Sequence, residues 1–327
     1  MLVHRRVPRR AVTPPAPAAV AIGIFDGVHR GHQAILRKAA ARARAFRGTP
    51  VAVTFHPHPL KVLRPSLAPP LLMSLDQRVK AISECGIRAG RVIAFTRPFS
   101  RWTPERFVED LLVRRLRVRE VVVGYNFRFG AGRRGSVRTL KELGTRFGFR
   151  VHAVSPVRVG RRRVSSGVLR DLIRRGELRQ AGRLMGRPVT VLGRVVRGSG
   201  RGRKLGFATA NLKVESDLLP PVGVYAVRAK VLNKSTRYKV PGTWFSGMAN
   251  IGFRPTFSAT SSSVLLEVHL FGLSRPLYRK GLEVEFIRRL RGERRFASPE
   301  ALTRQLAIDA RRAKWYTALP IIKRPCR

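Results

Sequence analysis

Ile22-Gly23-Ile24-Phe25-Asp26-Gly27-Val28-His29-Arg30-Gly31-His32-Gln33 is the stretch whose reading decides the fold of the first half of this chain. The residues leading into it, from Ala18 to Phe25, are apolar apart from Gly23 and read as a buried strand over Val20–Phe25. Asp26-Gly27 turns the chain, and apolar residues at helical spacing then run over Gln33–Phe46. His29 and His32 stand three apart, so at the head of a helix they share one face. That face carries the positive end of the helix dipole and its free N–H groups, which attract anions. Gly31 between the two histidines lets a phosphate come close to the main chain.

Working outward, the same alternation repeats. Apolar strands are expected at Val51–Phe55, Arg91–Phe95, Val121–Tyr125 and Val151–Val154, with helices over Leu75–Glu84, Pro104–Leu116 and Val137–Phe147 between them. Leu2-Val3-His4 offers a short edge strand, followed by a basic, proline-rich loop. Apolar strands alternating with helices give a parallel, doubly wound sheet, whose ligands bind beyond the C-terminal ends of the strands. The polar residues of interest fall there: His29 and His32 after the first strand, His56 and His58 after the second, and Asn126 after the fourth. Two imidazoles beside a helix N-terminus can stabilise charge building on an α-phosphate during in-line displacement, with no protein nucleophile. In isolation such a pair also suits a metal or plain solvent; the strand–turn–helix setting favours nucleotidyl transfer.

Past about residue 187 the pattern changes to short alternating segments, Val189–Val196, Gly223–Val231, Met248–Ile251, Leu265–Phe271 and Leu282–Leu290, separated by Gly/Pro turns. These suggest an antiparallel barrel. A closing helix, Pro299–Lys314, is capped by Ser298 with Glu300 in its first turn. Between the halves, Ser165 or Ser166 offers a cap for a helix over Val168–Arg175. The segment Gly193–Asn211 joins a Gly/Arg loop to a hydroxyl and an amide two apart, Thr209 and Asn211, but lacks the GxxxxGK(S/T) spacing of a P-loop. Glu267 is a lone acid in an apolar strand, costly there unless paired, used or on the wet face.

Phe25-Asp26-Gly27-Val28-His29-Arg30-Gly31-His32-Gln33 resembles the HxGH signature of the bifunctional bacterial FAD synthetases, in which riboflavin kinase is joined to FMN adenylyltransferase. Further similar segments are Phe55-His56-Pro57-His58-Pro59, Gly124–Gly130, Ser165-Ser166-Gly167-Val168-Leu169-Arg170, Gly186-Arg187-Pro188, Leu205-Gly206-Phe207-Ala208-Thr209-Ala210-Asn211, Asn250-Ile251-Gly252-Phe253-Arg254-Pro255-Thr256 and Leu266–Phe271. The resemblance implies an adenylyltransferase unit at 1–186, a riboflavin kinase barrel at 187–316 and a tail at 317–327. It implies His29 and His32 as transition-state stabilisers, with Phe25, Asp26, Gly27, Gly31, His58, Asn126, Ser165, Ser166 and Arg170 around the substrates. In the barrel it implies Glu267 as general base, Gly198, Arg203, Gly206, Thr209, Asn211, Asn250 and Arg254 at the ATP–flavin site, and Thr209 and Asn211 toward Mg²⁺. ATP is the co-substrate, and riboflavin, FMN and FAD are the partners. The chain departs from the family at Ile24 (usually Asn), Gly167 (Thr), Ala208 (Pro) and in Pro276-Leu277-Tyr278-Arg279 (Asp-Leu-Tyr-Gly).

Composition bounds the alternatives. The chain of 327 residues has room for two cores, and no apolar run approaches a membrane span. Its two cysteines, Cys85 and Cys326, form no scaffold pattern, so a reducing cytoplasm is the expected setting. The 67 Lys+Arg against 18 Asp+Glu give a net charge of +49, which predicts incidental attraction to nucleic acid. Two other readings stay open: a chain that is mainly a riboflavin kinase because Ile24 and Gly167 weaken adenylylation, and a basic nucleic-acid-binding protein derived from the enzyme. Oligomeric state is not legible.

Overall fold

The computed structural model describes residues 2–4, 17–198, 206–232, 243–254, 263–273 and 277–320. Arg203 with most of the Gly/Arg loop, Pro255-Thr256, Pro276 and Cys326 lie outside the described residues. Two compact units are present: residues 1–70 with 77–165, and 71–76 with 166–325.

The first unit is built on a six-stranded parallel sheet, β1 (Leu2–His4), β2 (Ala18–Ile22), β3 (Thr49–His56), β4 (Ala89–Ala94), β5 (Val118–Gly124) and β6 (Arg150–Val154), in the order β1-β4-β3-β2-β5-β6. The chain winds outward from β2 to β3 and β4, then crosses to β5 and β6 on the other side. The reversal of strand order therefore lies between β2 and β5, the place where sheets of this kind take their ligands. All five residues of β2 are buried, as a central strand covered on both faces requires. Helix α1 (Arg30–Ala45) buries Ile35, Leu36, Ala39, Ala40 and Ala43 from a single stripe. α2 (Pro59–Leu63), α3 (Leu75–Ser83) and α4 (Arg97–Ser100) follow. The segment expected as one helix over Pro104–Leu116 starts as α5 (Pro104–Arg106) and continues in π-helical turns over Phe107–Arg115. α6 (Val137–Phe147) is capped by Ser136, and Gly148 ends it in the left-handed conformation.

One expectation is corrected at its end. β2 stops at Ile22 rather than reaching Phe25, because Phe25 has φ 52° and leaves the extended region. A small hairpin, β7 (Arg158–Val159) with β8 (Arg162–Arg163), precedes the second unit.

The second unit contains α7 (Ser166–Arg174), α8 (Leu178–Met185) and a closed antiparallel barrel of six strands. The strands are β9 (Val189–Val196), β10 (Ala210–Val214), β11 (Gly223–Leu232), β12 (Trp244–Arg254), β13 (Ser263–Leu270) and β14 (Gly281–Arg291), in the order β10-β13-β12-β11-β14-β9. The sixth strand, β10, corrects the five-strand reading: Ala210–Val214, which begins inside the Gly193–Asn211 segment, pairs with both β9 and β13 and closes the barrel. Alternate residues are buried inside, among them Tyr225, Val227, Leu266, Val268, Val284 and Phe286. Helix α9 (Pro299–Ala318), four residues longer than expected, lays Leu306, Ala310, Ala313 and Tyr316 on Val224, Ala226, Met248 and Leu290. Ser298 Oγ accepts from Ala301 N–H at its start. Arg291 Nε donates to the fully buried Asp309 at 2.8 Å and pins the helix to β14.

Candidate active sites on the two units

After β2 the chain reverses through Phe25 (φ 52°), Gly27 (φ 85°) and Val28 (φ 34°). Two non-glycine residues in the left-handed region within one turn mark a strained connection of the kind found at functional sites. Phe25, Asp26 and His29 are all buried. His29 is the N-cap of α1: its Nδ1 accepts from the His32 backbone N–H at 3.2 Å. That bond fixes the tautomer, since an accepting Nδ1 leaves the ring proton on Nε2 as a donor. His32 stacks on His29 with ring centroids 3.7 Å apart and planes 13° from parallel, and meets the edge of Phe25 at 5.4 Å. Gly31 makes this possible in a way the sequence did not indicate, because a Cβ there would lie 3.2 Å from the His29 ring. Gln33 closes the turn by donating to the Val28 carbonyl at 2.9 Å.

The flanking segments come from the same edge of the sheet. His58 is buried and caps α2, its Nδ1 accepting from Leu60 N–H. Asn126, just past β5, is exposed in a cleft of about 420 Å³ lined also by Tyr125, Phe127, Arg128, Arg133 and Ser136. Arg163 lies over the Tyr125 ring. The carbonyl of Val164 comes within 3.9 Å of where a Gly31 Cβ would be, which brings Ser165 toward the head of α1. Ser165 belongs to the first unit, whereas Ser166, Gly167 and the buried Arg170 belong to the second.

The barrel site rests on register. Glu267 on β13 sits opposite Asn211 on β10 and opposite Asn250 on β12, so the three residues form one row across adjacent strands. Directly opposed residues point to the same face, here the outer one, because the neighbouring Leu266 and Val268 fill the interior. Asn211 is buried, and Glu267 and Asn250 are half-buried. The Asn211 carboxamide occupies space that only a glycine leaves free: a Cβ on Gly198 would lie 1.9 Å from its Nδ2. Thr209, two residues before Asn211, is exposed, as are Gly198 and Gly206, the latter at φ 78°. Arg254 ends β12, opposite Ser263. The hydroxyl and amide oxygens of Thr209 and Asn211 are hard donors of the kind Mg²⁺ takes, and two neutral ligands leave its remaining positions to phosphates and water.

Two residues escaped the sequence reading. His269 Nδ1 bonds the Ala208 carbonyl at 2.8 Å, and its ring meets Phe207 and Phe271 edge-on, tying the segment before Thr209 to β13. No sequence signal marked it. Arg78, wholly buried on α3, did leave one: it holds a place in the apolar stripe of Leu75, Val79 and Ile82, where a charge is out of pattern.

Fold and sites together define a two-unit transferase: an HxGH-bearing nucleotidyltransferase-type sheet followed by a phosphoryl-transfer barrel. The FAD synthetase family model matches residues 12–168 and the riboflavin kinase family model residues 185–317. The bifunctional riboflavin kinase/FMN adenylyltransferase of Escherichia coli K12 is 36% identical over 320 residues, covering 98% of this chain and 99% of that protein. Its counterpart in Bacillus subtilis 168 is 32% identical over 305 residues, covering 92% and 93%. A solved structure, described as a macrolide-efflux protein from Streptococcus pneumoniae, superposes with a TM-score of 0.81 at 26% identity, covering 98% of this chain and 99% of that one. The chain belongs to the bifunctional riboflavin kinase/FMN adenylyltransferase family, and it is an ATP-using enzyme with both activities. Among the described residues no helix is long and apolar enough to cross a membrane.

Proposed function

We propose that the two units act in series on one flavin. In the barrel, Glu267 takes the proton of the ribityl 5′-hydroxyl as that oxygen attacks the γ-phosphate of ATP, giving FMN and ADP. Asn211 and Asn250 flank the carboxylate and hold it in line; Thr209 and Asn211 are the residues that would hold Mg²⁺, which when bound offsets phosphate charge. Gly198, Arg203, Gly206 and Arg254 complete the ATP–flavin site.

In the first unit the FMN phosphate attacks the α-phosphate of a second ATP, giving FAD and releasing pyrophosphate. His29, with Nε2 as donor, and His32 stabilise the charge that builds on the α-phosphate. Phe25, Asp26, Gly27 and Gly31 shape the turn that holds them. His58, Asn126 and Ser165 place the substrates. The departure at Ile24 leaves its backbone anchored, since the Ile24 carbonyl accepts from Thr54 Oγ1 at 2.9 Å and from Arg78 at 3.1 Å. That favours a working adenylyltransferase over a chain that is mainly a kinase. The functional boundary is proposed at Arg187, and the setting as cytoplasmic. The charge of +49 attracts nucleic acid only incidentally, so such binding should vanish by physiological salt.

The observation that carries this reading is the Asn211–Glu267–Asn250 row on a chain that also holds the capped His29–His32 stack. A product time course with riboflavin, excess ATP and Mg²⁺ tests it, run beside Glu267→Ala and His29→Ala. FAD should appear through transient FMN, and each variant should stop a different step. FMN accumulating without FAD would refute the adenylyltransferase half; no flavin product at all would refute both.

A further inference from the structure

We infer that Arg78 is a positioning residue of the adenylyltransferase site, whose buried positive charge supports ATP binding from beneath the two catalytic-edge loops. This rests on the assignment of that site to the crevice at the end of β2.

The regular ladder between β2 and β3 ends where Gly23 N–H donates to the Val53 carbonyl at 3.1 Å. One step further, the Ile24 and Phe55 carbonyls face each other at the point where the strands part. Arg78 Nη1 donates to both, at 3.1 Å and 3.0 Å. One guanidinium thus takes the place of the next rung, and the chains diverge beyond it, Phe25–His29 to one side and His56–Pro59 to the other. Both loops carry a histidine that caps a helix, so the position of both caps depends on this junction.

Hydrogen bonding alone does not account for an arginine here. The side chain is wholly buried, yet Nε and Nη2 have no hydrogen-bond partner. Such donors cost free energy, as does desolvating the charge; burial pushes the Arg78 pKa down, and the negative charge of Asp26 opposes that shift. A neutral amide could bridge two carbonyls with fewer orphaned donors. What arginine adds is a permanent positive charge in a medium of low dielectric, next to the turn that receives a polyanion. Asp26, in that same turn, is the opposite charge acting on it.

The test separates charge from bridging. Arg78→Gln keeps hydrogen-bonding capacity without charge, and Arg78→Lys keeps charge with a weaker bridge. Urea denaturation of each variant reports that the first unit, which holds Arg78, is folded, and riboflavin kinase activity reports the same of the second. FAD formation from supplied FMN is followed against ATP concentration, and binding to the first site is titrated directly, in the presence of FMN, with the α,β-methylene analogue of ATP, whose α–β bridge is not cleaved. Arg78→Gln should raise the ATP KM of adenylylation roughly tenfold, and Arg78→Lys roughly threefold or less, as expected of a charge acting through low dielectric. Kinase kcat and its ATP KM should stay within about twofold of the unaltered chain in both. Thr54→Val removes the second donor to Ile24 and a hydroxyl 3.5 Å from Arg78 Nη1 but leaves the charge in place, so the ATP KM should stay nearly unchanged. A lower kcat at unchanged KM would mean only a smaller folded fraction, and equal damage in the Gln and Lys variants would mean a structural bridge; either overturns the inference. If the unaltered chain makes no FAD from FMN, the site assignment fails and takes the role of Arg78 with it, an outcome distinct from an Arg78→Gln variant that matches the unaltered chain.

Discussion

The two units assemble their chemistry by opposite means. In the barrel, Asn211, Glu267 and Asn250 come together because three strands pair in a fixed register, and each side chain stands where the pleat puts it. In the first unit, His29 and His32 come together in a reversal with positive φ at Phe25, Gly27 and Val28, held by caps and a buried arginine rather than by a ladder. A site set by register is robust to changes in its loops and fails when a functional group is removed. A site set by a strained turn responds also to changes that leave every functional group in place.

Glu267→Gln is the hardest test of the register-built site. It keeps the row but removes the base, so FMN formation should fall by about 10²–10⁴, the usual share of general base catalysis. FAD formation from supplied FMN should be unchanged in the same preparation. If FMN formation survives, Glu267 is only a strand residue on the outer face.

His29→Asn sharpens the other side. Asparagine is a good N-cap, so α1 should keep its stability while adenylylation falls by about 10²–10³ for loss of the imidazole donor. His29→Ala should lose the same activity and also about 1 kcal/mol of stability, read by urea denaturation. Equal stability in the two variants would show that the cap contributes nothing.

Asp309→Ala asks whether the register-built site can be damaged from a distance. It leaves Arg291 without its buried partner, which typically costs about 3–5 kcal/mol. Kinase activity should then be lost at a lower temperature than adenylyltransferase activity. Simultaneous loss would mean that the two units melt as one.

Gly31→Ala probes the turn-built site with a single methyl group. Its Cβ would crowd the His29 ring, so FAD formation should fall about tenfold through displaced imidazoles. Helix propensity favours alanine while the displaced imidazole weakens the His29 cap, so the two offset and stability should change by less than about 1 kcal/mol.

The smallest effect concerns pH. Glu120 accepts from Arg42 Nε at 2.6 Å and Nη2 at 2.7 Å, and bonds His152 Nε2 at 2.7 Å. The Arg42 hydrogen bonds, above all, hold its carboxyl below the usual carboxylate range, against the opposing effect of burial. A folded-state value below the unfolded one contributes stability at neutral pH that is lost as the pH falls through the folded value. The Tm of the unaltered chain should therefore drop more steeply than that of Glu120→Gln between about pH 5 and pH 3. Parallel curves would show that the pair is silent.

Much of this was legible in the sequence, and the residues themselves explain why. The strands of the parallel sheet were readable because each is a local apolar run, and α6 was readable to both ends because Ser136 and Gly148 punctuate it. The end of β2 was misjudged because Phe25 and Ile24 are apolar enough to continue a strand; only the turn's left-handed backbone excludes it. β10 was missed because Thr209-Ala210-Asn211 carries a site motif, and five residues give too little alternation to outweigh it.

By itself the sequence determined the order of elements, the change from a period of helix and strand to one of alternating strands, and the position of the HxGH turn. Those depend on contacts between residues close in the chain, whose spacing is written directly in the sequence. Tertiary structure alone decided that Glu267 lies between Asn211 and Asn250, that Gly31 makes room for the His29 ring, and that Arg78 bridges Ile24 and Phe55. The row and the bridge join residues tens of positions apart, and the room at Gly31 depends on how the turn aims an imidazole. Such placements are fixed by which strands pair, in what register, and where a buried donor finds its acceptor.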